Sequence, residues 1–273
     1  MRYALRLYRV RDWLHFLPLP LATVDPRPLG AALWDTGRGV ATAAAILAFG
    51  YLLNSVADRR MDRDARKNPL ILPGAGEPRR ALAALLAAGV GLAALGPWPT
   101  RVAAALSLFF FGVYSAAPRI KSVPLLGSLA NIGMFAPLLF LGLRDASLPP
   151  GLAALVVACG ALVLETQLVH EAADSLEDRA GGVRTTWLTV GPRRAAALAA
   201  ACGIVAAAGA ASLGSDAALA LAGLAAGLFG AAFPLQLARL GGDTARAARL
   251  RLSHRWCGLA FGAALFAAWR WGA

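Results

Sequence analysis

The chain has 273 residues, 58% of them hydrophobic and only 15% charged, with a mean hydropathy of +0.59. A soluble domain carries about 45–50% apolar and about 25% charged residues. The composition therefore excludes a disordered chain, a disulfide scaffold and a soluble nucleic-acid module, and indicates an integral membrane protein.

A bilayer-crossing helix needs roughly 20 mostly apolar residues. Such stretches recur at 13–34, 38–57, 79–98, 101–117, 122–143, 150–170, 193–213, 216–237 and 252–271, nine in all. The first is broken by Pro18, Pro20, Pro26 and Pro28. Its basic leader imitates a signal peptide, but no small-x-small cleavage site follows it. Lys and Arg outnumber Asp and Glu by 27 to 15, a formal charge of +12. With the N-terminus cytoplasmic, the leader and the loops after the second, fourth, sixth and eighth spans hold 22 of the 27 basic residues. Arg27, Arg38, Arg101, Arg144 and Arg270 fall on the other side. That asymmetry is the positive-inside pattern, so the charge excess reports topology and no nucleic-acid partner is expected. Cys159, Cys202 and Cys257 lie singly inside spans and read as small core residues. The Ala and Gly content lets membrane helices approach closely. The expectation is an all-α integral membrane protein: about nine transmembrane helices, an N-terminus in the cytoplasm and a single domain over 1–273. The Ala- and Arg-rich composition suits a bacterial cytoplasmic membrane.

Carboxylates are scarce in membrane proteins, and their positions are informative. Of the 15 here, three sit in Asp58–Asp64 and four in Glu171–Asp178, at the cytoplasmic ends of the second and sixth spans. Asn54-x-x-x-Asp58-x-x-x-Asp62 puts an amide and two carboxylates on one helical face. Glu171-x-x-Asp174-x-x-x-Asp178 makes a second stripe. Like charges at that spacing destabilise a helix, and a divalent cation compensates them. Mg²⁺ takes oxygen ligands, typically one or two carboxylates plus substrate phosphate oxygens. Two stripes at one membrane surface suit Mg²⁺ ions bridging to a diphosphate; alone, either stripe equally suits a solvated charge run beside Arg59, Arg60, Arg63 or Arg179. A third segment, Tyr114 to Lys121, ends the fourth span. Arg119 and Lys121 there can neutralise a diphosphate leaving group, or serve as a positive-inside anchor.

Together these segments resemble the signatures of the UbiA-type membrane prenyltransferases. So do Asp178-Arg179-Ala180-Gly181-Gly182-Val183-Arg184-Thr185-Thr186 leading to Gly191, and the opening Arg11-Asp12-Trp13-Leu14 with Leu17-Pro18-Leu19. The resemblance covers nearly the whole chain in order and spacing. It implies a nine-helix bundle around a central cavity and Mg²⁺-dependent ionisation of a polyprenyl diphosphate. The prenyl group then passes to a lipophilic, often aromatic acceptor, with membrane lipid around the site. Carried over by position, Asn54, Asp58, Asp62, Glu171, Asp174 and Asp178 would engage Mg²⁺. Asn54, Arg66, Lys67, Arg119 and Lys121 would bind diphosphate, and Tyr114 would line the cavity near the cleaved C–O bond. Three positions depart from the family pattern: Ser55 stands where an acid usually follows the Asn, Lys67-Asn68-Pro69-Leu70 replaces an Arg-Pro pair, and Glu171 replaces an Asp. His170 precedes the second stripe, as either an acceptor base or a hydrogen-bonded interfacial residue. Glu165, deeper in the sixth span, faces either a cavity or a partner helix. The run Phe109-Phe110-Phe111 contacts either lipid or the isoprenoid tail.

Other readings are a terpene cyclase of the same superfamily, a CDP-alcohol phosphotransferase, a transporter and a non-catalytic lipid-binding protein. The phosphotransferase keeps its carboxylates in one tight motif, whereas more than a hundred residues separate the two stripes here. A transporter would place its carboxylates near the bilayer midplane.

Overall fold

The computed structural model describes residues 6–60, 62, 65, 68–72, 78–116, 119–241 and 243–271, with the side chain of residue 271 excepted. Every regular element among them is helical. The long ones are α1 (Leu29–Asp58), α2 (Arg79–Ala94), α3 (Trp98–Ser115), α4 (Leu126–Phe135), α5 (Leu152–Ala180), α6 (Pro192–Ala211), α7 (Asp216–Gly227) and α8 (Thr244–Trp271). By length and apolarity, four helical stretches among the described residues can cross a membrane: Leu29–Asp58, Leu152–Ala180, Pro192–Ala211 and Asp216–Ala238.

The boundaries follow from local chemistry. The span expected at 13–34 is not one helix. Short helical turns at Val10–Trp13, Leu14–Phe16 and Leu19–Thr23 give way to extended backbone, and α1 begins directly after Pro28. Prolines lack the N–H that would continue a helix and hold the preceding residue extended. Residues 29–34 consequently join the second span as one 30-residue helix. Ala136–Gly142 continues α4 as a tighter 3₁₀ turn with Pro137 in its first positions. After α7, Leu228–Ala232 widens into a π-turn before the short helix Phe233–Ala238, which carries Pro234. A proline ring clashes with the carbonyl four residues back, and a wider turn relieves that clash. Ser215 caps α7 by accepting from Ala218 N at 3.1 Å.

The trace groups into two compact units, Met1–Ile120 with Gly133–Leu148, and Lys121–Ile132 with Pro149–Ala273. In the first, α1 packs on α2 and α3, and the 3₁₀ turn Ala136–Gly142 packs on Leu19–Thr23, α1 and α3. Phe111 sits directly against Gly50 and meets Phe135 edge-on with centroids 5.7 Å apart. Phe109 of the same run is exposed, so the three phenylalanines divide between the core and the outside. Near the start of α1, buried Asp35 accepts from Arg144 Nε at 2.9 Å and lies 3.5 Å from Arg38 Nη2, which also donates to Leu143 O at 2.5 Å.

In the second unit α5 packs on α6 and α8, while α6 also carries α7 and the π-turn. Close approach depends on small residues. Gly209 lies against Ala154 and Ala158, and Gly203 lies against the backbone of Phe229 and Gly230. A Cβ at Gly203 would overlap that backbone, whereas one at Gly223 would meet open space. Gly203→Ala is expected to destabilise the protein by about 1–3 kcal/mol, the usual cost of overpacking. Gly223→Ala should be neutral or gain up to about 1 kcal/mol from helix propensity. Thermal melting of the two variants in detergent checks the pair.

Candidate active site

Each unit carries one of the acidic stripes at the C-terminal end of a long helix. In the first, Asn54 and Asp58 lie one turn apart on α1, and Asp58 is its last residue. Asp58 is 7% exposed and ion-pairs with Arg119 Nη2. Arg119 holds a left-handed backbone, φ 56°, which is uncommon outside glycine and is found disproportionately at functional sites. Ser115 Oγ, at the end of α3, donates to Asn54 Oδ1 at 3.4 Å. Ser55, where the resemblance calls for an acid, is buried and turns its hydroxyl back to Tyr51 O at 3.0 Å.

Asp62 continues the turn, with its N–H donating to Asp58 O at 2.9 Å. Its carboxylate is held by Asn68, whose Nδ2 donates to Asp62 Oδ2 at 2.7 Å and to Ser55 O at 2.8 Å. Asn68 Oδ1 accepts from Leu70 N at 3.2 Å, capping the turn Pro69–Ile71. One fully buried amide thus fastens the connection after α1 back onto that helix. The N-terminal motif joins the same helix nearby: Arg9 pairs with Asp12 at 2.8 Å and stands over the Tyr51 ring at 5.3 Å. Tyr114 is half-buried on α3. Arg66 and Lys67, expected to bind diphosphate, lie outside the described residues.

The second stripe occupies the last turns of α5, which runs ten residues beyond the expected span 150–170. Asp174 and Asp178 are half-buried, and Lys121, also half-buried, belongs to this unit. His170 Nε2 is 3.4 Å from Asp174 Oδ2, and Arg251 from α8 is 3.5 Å from Asp174 Oδ1. Asp178 O accepts from Val183 N at 2.8 Å as Gly182 turns the chain with φ 70°.

Glu171, expected among the metal ligands, is engaged by donors of the protein itself. It is 5% exposed; Oε1 accepts from Ser128 Oγ at 2.7 Å and Gln167 Nε2 at 3.2 Å, and Oε2 accepts from Trp187 N at 2.8 Å. Ser128 also meets Thr186 Oγ1 at 2.5 Å, and Leu125 N donates to that same hydroxyl at 2.8 Å. The carboxylate therefore ties α4, α5 and the segment Thr186–Val190 together. Deeper in α5, Glu165 Oε1 is 3.5 Å from His254 Nε2 of α8, and both side chains are almost wholly buried. Phe229 and Phe233 meet the imidazole edge-on, 5.3 and 5.0 Å between centroids. Glu165 thus faces His254 across two helices, with neither carboxylate oxygen nor His254 Nε2 making a hydrogen bond among the described residues. His254 was not among the residues singled out from the sequence, although an ionisable side chain inside a span was a signal for it.

The sequence pattern that defines the UbiA prenyltransferase family matches residues 21–258. Among solved structures, a UbiA homologue from Archaeoglobus fulgidus bound to DMAPP and Mg²⁺ matches with a TM-score of 0.71 at 22% identity, over 97% of this chain and 99% of that one. An apo UbiA homologue from Aeropyrum pernix K1 matches with a TM-score of 0.70 at 21% identity, over 94% and 97% of the two chains. A structure of digeranylgeranylglyceryl phosphate synthase gives 0.71 at 16% identity, over 97% and 96%. At these identities the likeness speaks for the fold. No curated protein matches the sequence.

Removing the Glu171 carboxylate strands the donors of Ser128, Gln167 and Trp187, and leaving a buried polar group unpaired costs about 1–3 kcal/mol. Glu171→Ala is therefore expected to lower the melting temperature clearly, and Glu171→Gln, which retains one acceptor oxygen, to lower it less. Circular dichroism melts in detergent distinguish the two.

Proposed function

The chain belongs to the UbiA prenyltransferase family, and from that premise we propose a Mg²⁺-dependent membrane enzyme that moves the prenyl group of a polyprenyl diphosphate onto a lipophilic acceptor, aromatic acceptors included. The observation that carries this reading is the end of α1. There Asn54, Asp58 and Asp62 present oxygen donors in succession, with Arg119 already paired to Asp58. The homologue from Archaeoglobus fulgidus, solved with DMAPP or GPP and Mg²⁺, supports the substrate class.

The residues fit the metal. Amide and carboxylate oxygens are the hard donors Mg²⁺ prefers, and it is typically held by one or two carboxylates with phosphate oxygens and water. Among the described residues no cluster of three or more His, Cys, Asp and Glu forms a ligand set of its own. In this proposal Asn54, Asp58 and Asp62 of the first unit, and Asp174 and Asp178 of the second, would serve as ligands for Mg²⁺. Glu171, occupied by Ser128, Gln167 and Trp187, shapes the second stripe from behind. Bound Mg²⁺ offsets charge on the diphosphate and so favours departure of that group.

The chain's own contributions follow. Arg119 and Lys121, with Arg66 and Lys67 in the loop after α1, donate to the diphosphate oxygens and stabilise the leaving group. The C–O electron pair departs with the diphosphate, the acceptor's electron pair closes on the allylic carbon, and the acceptor loses a proton. Tyr114 lines the cavity beside the cleaved bond. Apolar side chains of the spans keep water from the allylic cation. The topology that goes with this reading has about nine spans, a single domain over 1–273, and N-terminus and site on the cytoplasmic side of a bacterial membrane. The 22-to-5 partition of basic residues supports it.

The test is release of inorganic diphosphate by purified protein offered geranyl, farnesyl and geranylgeranyl diphosphates, with and without Mg²⁺ and a membrane lipid extract. Mg²⁺-dependent release that requires the extract, with a prenylated lipid detected by mass spectrometry, is the expected result. Release without acceptor, yielding a hydrocarbon, would replace the transferase by a cyclase. Asp58→Asn and Asp174→Asn should each lower turnover by roughly 10²–10³-fold, the scale of losing one main electrostatic group, while melting temperatures stay near that of the wild type. Full activity in either variant would overturn the assignment.

A further inference from the structure

Arg251 comes from α8, far in sequence from the acidic stripe it meets. Its Nη1 donates to His170 Nδ1 at 2.8 Å and lies 3.5 Å from Asp174 Oδ1. A guanidinium has only donors, so Nδ1 must offer its lone pair and the ring carries its proton on Nε2. That nitrogen stands 3.4 Å from Asp174 Oδ2. Asp174 therefore has a full positive charge beside one oxygen and an N–H facing the other. The side chains of Arg251, His170 and Asp174 are 25%, 32% and 20% exposed, so a ligand can reach them. Of the other acids on this part of α5, Glu171 is turned to Ser128, Gln167 and Trp187, Glu177 is exposed, and Asp178 follows one turn on. The first unit repeats the arrangement with different residues, Asp58 held by Arg119.

We propose that Arg251 is a stand-in cation and positioning residue for the second stripe. It neutralises Asp174 until a divalent cation takes that place, and its guanidinium then turns to the oxygens of the incoming diphosphate. The proposal rests on the reading that Asp174 serves the cation and diphosphate, and adds to it a residue from α8 and a competition between two cations for one carboxylate. Competition has a signature that a merely structural role lacks: removing Arg251 tightens metal binding while weakening diphosphate binding. A scaffold residue would weaken both.

Mn²⁺ binding to the full-length protein in detergent, followed by electron paramagnetic resonance without any prenyl diphosphate, reads the first effect. KM for the prenyl diphosphate turned over most readily reads the second. For Arg251→Met we expect Mn²⁺ to bind roughly two- to fivefold more tightly, the scale of losing a partly exposed ion pair, and KM to rise about tenfold. Arg251→Lys keeps the charge but loses the planar fork. Its Mn²⁺ affinity should stay near wild type while KM rises, and it carries the test if the methionine variant does not fold. Unchanged or weaker Mn²⁺ binding in Arg251→Met, or unchanged KM in both variants, would overturn the proposal. Asp174→Asn separates this failure from that of the underlying reading. Lost Mn²⁺ binding and activity there, with Arg251→Met like wild type, would sink only the role of Arg251; full binding and activity in Asp174→Asn would sink the reading itself.

Discussion

A carboxylate near the C-terminal end of an apolar helix meets three penalties together. The helix dipole places partial negative charge at that end, a second carboxylate one turn away repels it, and the hydrocarbon beside it removes solvation. Both acidic stripes stand in this position, on α1 and on α5. Neither is tolerable without nearby positive charge, and the chain supplies it from other elements: Arg119 for Asp58 and Arg251 for Asp174. Asp35, at the other end of α1, is met by Arg38 and Arg144. Such groups place a cation where a second cation would be welcome, and on this the proposed chemistry depends.

Packing holds those groups in place. Gly50 against Phe111, and Gly203 against the backbone around Phe229, bring helices close enough for short polar side chains to reach one another. The buried amide of Asn68 and the carboxylate of Glu171 do comparable work on the two connections that follow the acidic stripes. Each satisfies several partners at once, so each ties loop geometry to helix geometry.

Much of this was legible in the sequence because hydrocarbon imposes a coarse rule. The stretches at 193–213 and 216–237 correspond to helices at Pro192–Ala211 and Asp216–Ala238, since apolar composition alone sets them. Residues 13–34 misled, because hydropathy counts proline-rich segments that cannot form a continuous helix. The end of α5 shows the complement: apolarity stops short of it, but the helical spacing of Glu171, Asp174 and Asp178 already pointed past 170, and the helix runs on to Ala180. The spacing of Asn54, Asp58 and Asp62 was plain because it is local. Asn68, noticed only as a departure from a pattern, proved to hold Asp62. Arg251, Ser128 and His254 were hidden, because their partners lie 81, 43 and 89 residues away in sequence. Only tertiary packing reveals such pairs, and it also separates Glu171, turned inward, from Asp174 three residues on.

The length of α1 has a consequence of its own. Thirty residues at about 1.5 Å each give a rod of about 45 Å, while the hydrocarbon layer is about 30 Å thick. Such a helix overshoots the oily slab by roughly 15 Å, to be taken up by tilt or by protrusion into the headgroup zone. Asp58 is the last residue of that rod and Asn54 sits one turn before it. In the proposed reading, protrusion at this end would lift the acidic tip clear of the hydrocarbon, to the depth where a water-soluble diphosphate head and a lipid-soluble tail meet.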